Sequence, residues 1–427
     1  MKKFLSKIFK SLGPGFITGA SDDDPSGIAT YSQTGALFGF TQAWTALFSF
    51  PLMASIQEMC GRIGMVTGRG LAGVIKEHYS KKVLFFAVFL LFIANIINIG
   101  ADLGAMAAAS ELVFNYYFPV KINFIFWLIL LTSLTLFLEI FVSYKTYSKY
   151  LKYLAFALLS YVLTAFIIKI DWINVFHSLV IPNFSFNKIY FLNIVAILGT
   201  TISPYLFFWQ ASEEVEEEVA HHKLRNMGAG QPKVMPKDIS RLRVDTMIGM
   251  FFSNLVMFFI IIVTGATLFQ NGVHNITSAS QAAEVLRPLS GDFAFLLFAL
   301  GIVGTGLLAV PILAGSASYA ISEAFGLKEG LYRKFNEAHG FYGIIALATL
   351  IGLLINFIGI SPITALYYTA VINGLIAPPL LIMILFIANN KKIMKDRTNN
   401  KLLNVLGILT IFIMSMAALA LLLSFVI

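Results

Sequence analysis

The sequence predicts an all-α polytopic membrane protein of eleven transmembrane helices, arranged as two five-helix units of opposite orientation with one helix added. Three observations carry this reading. Hydrophobic residues make up 58% of the 427 residues and charged residues 12%, against about 45–50% and about 25% in an ordinary soluble domain. The mean hydropathy of +0.81 comes from apolar runs that recur from Leu12 to Ile427, each near the roughly 20 residues needed to cross a bilayer. The first and sixth runs are interrupted by proline, glycine and polar residues. Because a unit of five spans is odd in number, the second unit enters from the opposite side.

In chain order, the runs lie at about 13–34, 42–61, 83–113, 122–143, 150–169, 190–212, 242–270, 292–318, 340–359, 363–388 and 402–426. Residues 1–12 are then a tail, 13–169 and 190–388 the two inverted units, and 402–427 the eleventh helix. The start from Met1 to Lys10 looks like a signal-peptide n-region, but Gly13, Pro14 and the Asp22–Asp24 triplet interrupt the run that follows, so no cleaved signal is expected. Cys60 is the single cysteine, which excludes disulfides within the chain, thiolate clusters and CxxC redox chemistry. With the N-terminus cytoplasmic, 26 of the 30 Lys and Arg fall on the inside, and only Lys121, Lys169, Lys188 and Arg287 on the outside. The positive-inside rule therefore places the N-terminus in the cytoplasm and the C-terminus outside. The net charge of +8 is matched to the bilayer surface rather than to nucleic acid.

Polar side chains and helix breakers survive in a bilayer only where protein or a water-filled cavity receives them. The first span, from Gly13 to Gln33, breaks this rule most severely. Pro25 and Gly27 weaken its backbone ladder, and Asp22, Asp23 and Asp24 would each cost about 2.5–3.5 kcal/mol at the bilayer centre. The reading is an unwound helix with free carbonyls and carboxylates; the bland alternative puts the acidic triplet in a loop. In the sixth span, Gly199 and Pro204 bracket the hydroxyl residues Thr200, Thr201 and Ser203, which alone would be an ordinary proline kink. Breaks in the first span of each unit point to an inverted-repeat transporter with its site near the midplane.

Residue chemistry then suggests a cation. Asp24 is the best ligand candidate, complemented by the Thr200 carbonyl and Ser203, an all-oxygen set that suits Mg²⁺, Ca²⁺ or Mn²⁺ over softer metals. Small residues at Ser26, Gly27 and Ser203 leave room for waters on a hydrated ion. Asp22 and Asp23 either accept from such waters or line the inward vestibule. In the third span Asn95, Asn98 and Asp102, spaced three and four apart, share a helix face. That stripe offers interhelical hydrogen bonds or, at Asp102, a proton or cation relay. Asn373, ahead of Pro378 and Pro379, is a further lining candidate. The run of Glu213, Glu214, Glu216, Glu217 and Glu218 either concentrates cations at the inner mouth or is simply a solvated helix end, the simpler expectation. His221 and His222 are given no metal role, and Glu139 could reach the interface.

The segments Gly13-Pro14-Gly15 through Asp24-Pro25-Ser26-Gly27, with Gly199-Thr200-Thr201-Ile202-Ser203-Pro204-Tyr205, resemble the Nramp family of divalent-metal transporters over nearly the whole chain. The resemblance implies a LeuT-type inverted repeat, with the metal-binding Asp carried over to Asp24 and the helix-six carbonyl ligand to Thr200. Ordinary members have Asp-Pro-Gly-Asn and Met-Pro-His; here Ser26 and Gly27 replace Gly and Asn, and Ser203, Pro204 and Tyr205 replace Met, Pro and His. Asp102 matches one acidic residue of the family's proton route, while Asn95 and Ala105 stand where others would be acidic, and the ninth span has no arginine. This pattern looks like the Nramp-related magnesium transporters, which implies Mg²⁺ and Mn²⁺ transport without proton coupling. Losing the thioether removes the soft donor that disfavours alkaline-earth ions.

The expectation is therefore a non-enzymatic carrier without a cofactor, importing Mg²⁺ and Mn²⁺ across the plasma (inner) membrane and functional as a monomer. The rivals are a proton-coupled Mn²⁺/Fe²⁺ importer, an intramembrane aspartyl hydrolase using Asp24 and Asp102, and a carrier of an organic substrate. The acidic triplet and the lack of a cationic partner for a carboxylate substrate count against the last.

Overall fold

The computed structural model describes residues 13–142 and 156–425. The N-terminal tail, with Lys2, Lys3, Lys7 and Lys10, and the start of the fifth span, with Lys145, Lys149 and Lys152, lie outside the described residues. Among the described residues, seven helical stretches are long and apolar enough to cross a membrane: Lys81–Tyr117, Phe124–Phe141, Lys188–Ala220, Pro236–Asn271, Arg287–Phe325, Pro362–Asn389 and Lys401–Leu423. The other four expected spans are also helical, each with a local peculiarity. The first is split into Pro14–Asp22 and Pro25–Phe38. The second, Trp44–Thr67, carries Gln57, Glu58 and Arg62. The fifth is described from its later part, including Leu159–Ile167, and the ninth, His339–Ile355, has 17 residues.

Each break is made the same way. Pro25 and Pro204 occupy the first turn of a new half-helix, where a missing N–H costs nothing. Asp24 and Ser203 precede them with extended backbone, as N-cap residues must. The breaks are narrower than the sequence suggests, because Gly27 and Gly199 both lie within regular helix. A Cβ on Gly199 would stand 2.0 Å from the Ala370 carbonyl oxygen and 2.3 Å from the Gly374 nitrogen. That glycine is there for close contact with the tenth-span helix, and the chain does not unwind at it.

The two units pack through equivalent partners. The later half of the first span, Pro25–Phe38, lies on the seventh-span helix Pro236–Thr267, and the later half of the sixth, Pro204–Ala220, on the second-span helix Trp44–Thr67. The third-span helix Lys81–Tyr117 packs along the eighth, Ala294–Phe325. Large apolar side chains face outward, among them Phe86, Phe89 and Ile93 of the third span and Leu402, Val405, Ile408 and Phe412 of the eleventh. Lipid rather than protein is the medium that suits them.

The face from which the first half-helix enters is basic where Lys223 and Arg241 line the space beside Gly13 and Pro14. Because the second-span helix runs on to Thr67, Arg62 is inside it and buried rather than in the following loop. Its guanidinium pairs with Glu58 at 3.1 Å and donates to the Arg397 carbonyl and to Asn399, tying the second span to the segment before the eleventh.

Candidate functional site

Asp22, Asp23 and Asp24 are buried, with exposures of 0, 1 and 1%, which removes the reading of the triplet as a solvated loop. Asp22 is the last residue of the half-helix Pro14–Asp22, and Asp23 and Asp24 form the break. Asp24 caps the next half-helix: its Oδ1 accepts from the Gly27 N–H and the Ser26 hydroxyl, each at 2.7 Å. At the sixth-span break the Ser203 hydroxyl turns back to the carbonyls of Gly199 at 2.7 Å and Thr200 at 2.8 Å. Serine thus satisfies carbonyls that the end of a half-helix would leave unpaired. The two breaks touch through Tyr205, whose hydroxyl donates to the Ser21 carbonyl at 3.0 Å. A Cβ on Gly27 would sit 3.2 Å from the Asp22 carbonyl oxygen and 3.3 Å from the Thr200 hydroxyl. Gly27 therefore contributes space toward which oxygens of both breaks point.

Asn98 is the hub on the third-span helix. Its amide nitrogen donates to Asp24 Oδ2 at 2.9 Å and to Asp102 Oδ2 at 3.0 Å, while its oxygen accepts from Asn373 at 3.2 Å. Asn98, Asp102 and Asn373 are thus brought together with Asp24. Asn95 is not: its amide donates to the Leu313 carbonyl of the eighth-span helix at 2.8 Å, which is interhelical packing. The geometry also speaks against an aspartyl-hydrolase dyad, in which two carboxyls share one proton directly. Here an amide group stands between Asp24 and Asp102.

Sequence reasoning missed the cradle of the first half-helix. Asp245, Gly249 and Ser253 recur every four residues along the seventh-span helix, so they share one face. Asp245 accepts from the N–H groups of Gly13 and Gly15, both at 2.8 Å, at the electropositive start of the half-helix. Gly249 lets the backbones cross: a Cβ on Gly19 would lie 2.2 Å from its carbonyl carbon. At the far end the Ser253 hydroxyl approaches Asp22 Oδ2 at 2.5 Å and Asp23 Oδ1 at 3.2 Å. Tyr31 was missed as well. It is buried, its hydroxyl has the Thr200 side chain as hydrogen-bonding neighbour, and the carboxyls of Asp22, Asp23 and Asp24 act on it electrostatically. The four-residue stripe was visible in the sequence; what packs on it was not.

The glutamate run is no solvated helix end. Glu214 and Glu218 are buried, Glu216 accepts from the Tyr319 hydroxyl and the Leu331 N–H, and Glu217 and Glu218 pair with Arg241 and Lys223. His221 lies 3.7 Å from Glu217. Glu139 is buried, and among the described residues neither of its carboxylate oxygens has a hydrogen-bond partner. Nearby, Glu323 accepts from the Gly70 and Gly73 N–H groups at 2.5 and 2.8 Å, capping the short helix Leu71–His78. Glu329, in the loop beyond, has its carboxyl pushed up to about 10 by burial and then by the charges of Glu323 and Glu216. The folded protein therefore holds a proton that the unfolded chain releases near 4.5. The associated stability is complete below that value and is lost as pH rises toward the folded value. Between about pH 6 and about pH 9 the apparent unfolding temperature is expected to fall, and to fall less in Glu329→Gln. Equal slopes in the two proteins would remove Glu329 from the account.

Among the described residues no three His, Cys, Asp or Glu converge as a ready-made metal cage. What the breaks offer is a carboxylate, helix-end carbonyls, hydroxyls and amides. None of the hydrogen bonds at Asp24, Ser203 or the Thr200 carbonyl involves sulfur or imidazole. The Met106 thioether lies with Pro25 against Gly306. Such a donor set fits a hard divalent cation that keeps part of its water.

Residues 15–424 match the model of the Nramp family, described as natural resistance-associated macrophage protein-like. The divalent metal cation transporter MntH of Caldanaerobacter subterraneus subsp. tengcongensis is 25% identical over 414 residues, covering 95% of this chain and 90% of that protein. MntH of Yersinia pestis is 25% identical over 421 residues, covering 96% and 94%. Among solved structures, the Eremococcus coleocola manganese transporter aligns with a TM-score of 0.74 at 16% identity, over 99% of this chain and 92% of that one. Mhp1, a nucleobase-cation-symport-1 family transporter, aligns with a TM-score of 0.61 at 13% identity, over 97% and 92%. These structural likenesses concern the fold, and it is the all-α LeuT-type fold expected from the sequence.

Proposed function

The chain belongs to the Nramp family, and from that membership we propose that it is a divalent metal cation transporter that carries Mg²⁺ and Mn²⁺ into the cytoplasm by alternating access around Asp24. The observation that carries the reading is the chemistry of the two breaks. Asp24 supplies the charge, Thr200 and its neighbours supply carbonyls and hydroxyls, and Ser203 stands where a thioether would favour softer metals. The relatives named as divalent metal cation transporters support the class of substrate. In this reading the protein sits in the plasma membrane as a monomer with its N-terminus inside, the basic face being cytoplasmic. Uptake draws on the membrane potential, about 2.3 kcal/mol per elementary charge per 100 mV and twice that for a divalent ion.

A second reading has one observation in its favour: Asp102 is joined to Asp24 through the Asn98 amide, a route by which cation and proton binding could be linked. Purified protein in liposomes, with Mg²⁺ and Mn²⁺ dyes and an internal pH dye under an imposed potential, separates the two. The proposed function predicts Mg²⁺ entry without acidification. Mn²⁺ entry with acidification and no Mg²⁺ flux would make this a proton-coupled Mn²⁺/Fe²⁺ importer instead.

A further inference from the structure

The connector between the fifth and sixth spans carries a helix of its own, Trp172–Val180, capped by Asp171, whose side chain accepts from the Asn174 N–H at 3.1 Å. It packs on the second-span helix, and Phe184 beyond it meets Trp44 with ring centroids 5.6 Å apart. Trp44 begins the second span, and Phe38, which ends the first, meets Tyr190 of the sixth at 5.9 Å. The connector therefore lies on the face opposite the one from which the first half-helix enters.

At about 100° per residue, this helix divides into three sectors. Val175 and Ser178 are buried against the protein. Ile173, Phe176 and Val180 are 85, 59 and 60% exposed, and they fall within about 60° of one another. Asn174 and His177 are exposed on the remaining side. A helix surrounded by water gains nothing by exposing such an apolar strip, and a helix sunk in hydrocarbon would strand the amide and the imidazole. Protein on one sector, an apolar medium on the next and water on the third is the arrangement of a helix lying in the plane of a membrane interface.

The strip also continues a surface that faces lipid already. Phe166, exposed on the fifth-span helix Leu159–Ile167, stacks on Trp172 with centroids 6.1 Å apart, and Trp172 leads to Phe176 at 6.3 Å. Past the helix, exposed Phe186 meets Phe191 of the sixth span at 6.2 Å. Exposed Lys169 and Lys188 flank the connector, a placement that lets their ammonium groups reach lipid phosphates while their stems stay on apolar surface.

We infer that Trp172–Val180 is an in-plane membrane anchor, with Ile173, Phe176 and Val180 inserted at the boundary of acyl chains and headgroups in the leaflet opposite the basic face. Lipid is the occupant of the strip because the strip runs on from the lipid-facing fifth span, and because tryptophan beside phenylalanine favours that depth. The anchor has a place in the architecture as well. The helix Lys188–Thr201 starts where the connector ends and carries Thr200 at its other end. Lipid thus holds one end of an element whose other end reaches the sixth-span break, whichever ion is carried.

The test is spin-label depth in the purified full-length protein, reconstituted in nanodiscs of phosphatidylcholine and phosphatidylglycerol. Single cysteines replace Ile173, Phe176, Val180, Asn174 and His177 in turn in a Cys60→Ser background. Should that background not fold, the buried Cys60 is kept and the same five labels go on the otherwise native chain. Oxygen, which concentrates in lipid, and a nickel chelate, which stays in water, are the two relaxing agents. Labels at Ile173→Cys, Phe176→Cys and Val180→Cys should lie about 5–10 Å below the headgroup boundary, open to oxygen and closed to nickel. Labels at Asn174→Cys and His177→Cys should be open to nickel. Equal depth at all five positions, in water or in lipid, overturns the anchor. Shielding of Ile173→Cys and Phe176→Cys from both agents also overturns it, since protein, from another molecule or a second copy of this chain, would then cover the strip.

Discussion

Asp24→Ala is expected to lower divalent-ion uptake by about hundredfold or more, since even residues that only orient metal ligands are worth about 10–100-fold in affinity. The size of the effect follows from charge: Asp24 is the one carboxylate that also caps the half-helix opening the second part of the first span. These two duties can be separated. The cap, in which Oδ1 accepts from the Gly27 N–H, contributes about 1 kcal/mol, and Asn performs it nearly as well as Asp. Asp24→Asn should therefore keep the wild-type unfolding temperature while losing uptake. Asp24→Ala should lose uptake and about 1 kcal/mol of stability as well. Uptake of Mg²⁺ and Mn²⁺ into liposomes, measured beside thermal unfolding of the same preparations, checks both variants. Normal flux in Asp24→Asn would mean that the carboxylate serves the fold and leaves the ion to other groups.

The architecture was legible because lipid enforces a simple code. Apolar length gives the spans, and Asp24-Pro25 and Ser203-Pro204 mark the breaks, since proline begins a half-helix as readily as it ends a whole one. Glycine is ambiguous in the same code. In a span it signals either a weak helix or a close neighbour, and at Gly199 only the position of Ala370 and Gly374 decides. Asn95 and Asn98 show a limit of another kind. Three residues of helix leave two side chains about 60° apart. That is enough for one to reach Asp24 and the other the backbone at Leu313. The glutamate run was misjudged because its partners, Tyr319, Leu331, Lys223 and Arg241, come from other segments, and charges without visible partners read as solvated. Ser253 was illegible for the same reason: a serine in an apolar helix means little until the acidic end of another helix is laid beside it.

Gly249→Val should displace the first half-helix from the seventh-span helix. A Cβ at Gly249 would lie 2.4 Å from the Gly15 carbonyl oxygen and 2.9 Å from the Phe16 Cα, so backbone would have to move, with no flexible side chain there to give way. Overpacking in a core usually costs about 1–3 kcal/mol, and the system takes the cheapest relief. The long seventh-span helix is packed against several neighbours, whereas the half-helix has 9 residues and is joined to the next by a two-residue break. The half-helix is the part that yields. Its departure would strip Asp245 from the Gly13 and Gly15 N–H groups and Ser253 from Asp22 and Asp23, opening the core toward the basic face. A cysteine reports this directly, because Cys60, the single native thiol, is buried and can be replaced by serine. With Ala20→Cys in that background, a water-soluble maleimide should react slowly, Ala20 being 7% exposed. Adding Gly249→Val should raise the rate by about tenfold or more, as local opening exposes the site. Asp245→Ala should act in the same direction but less, since it leaves the crossing of the helices intact and removes only the acceptor at one end. Unchanged labelling in Gly249→Val, in protein that still folds, would show that the two helices part elsewhere, and the stripe of Asp245, Gly249 and Ser253 would then be packing without a role in opening.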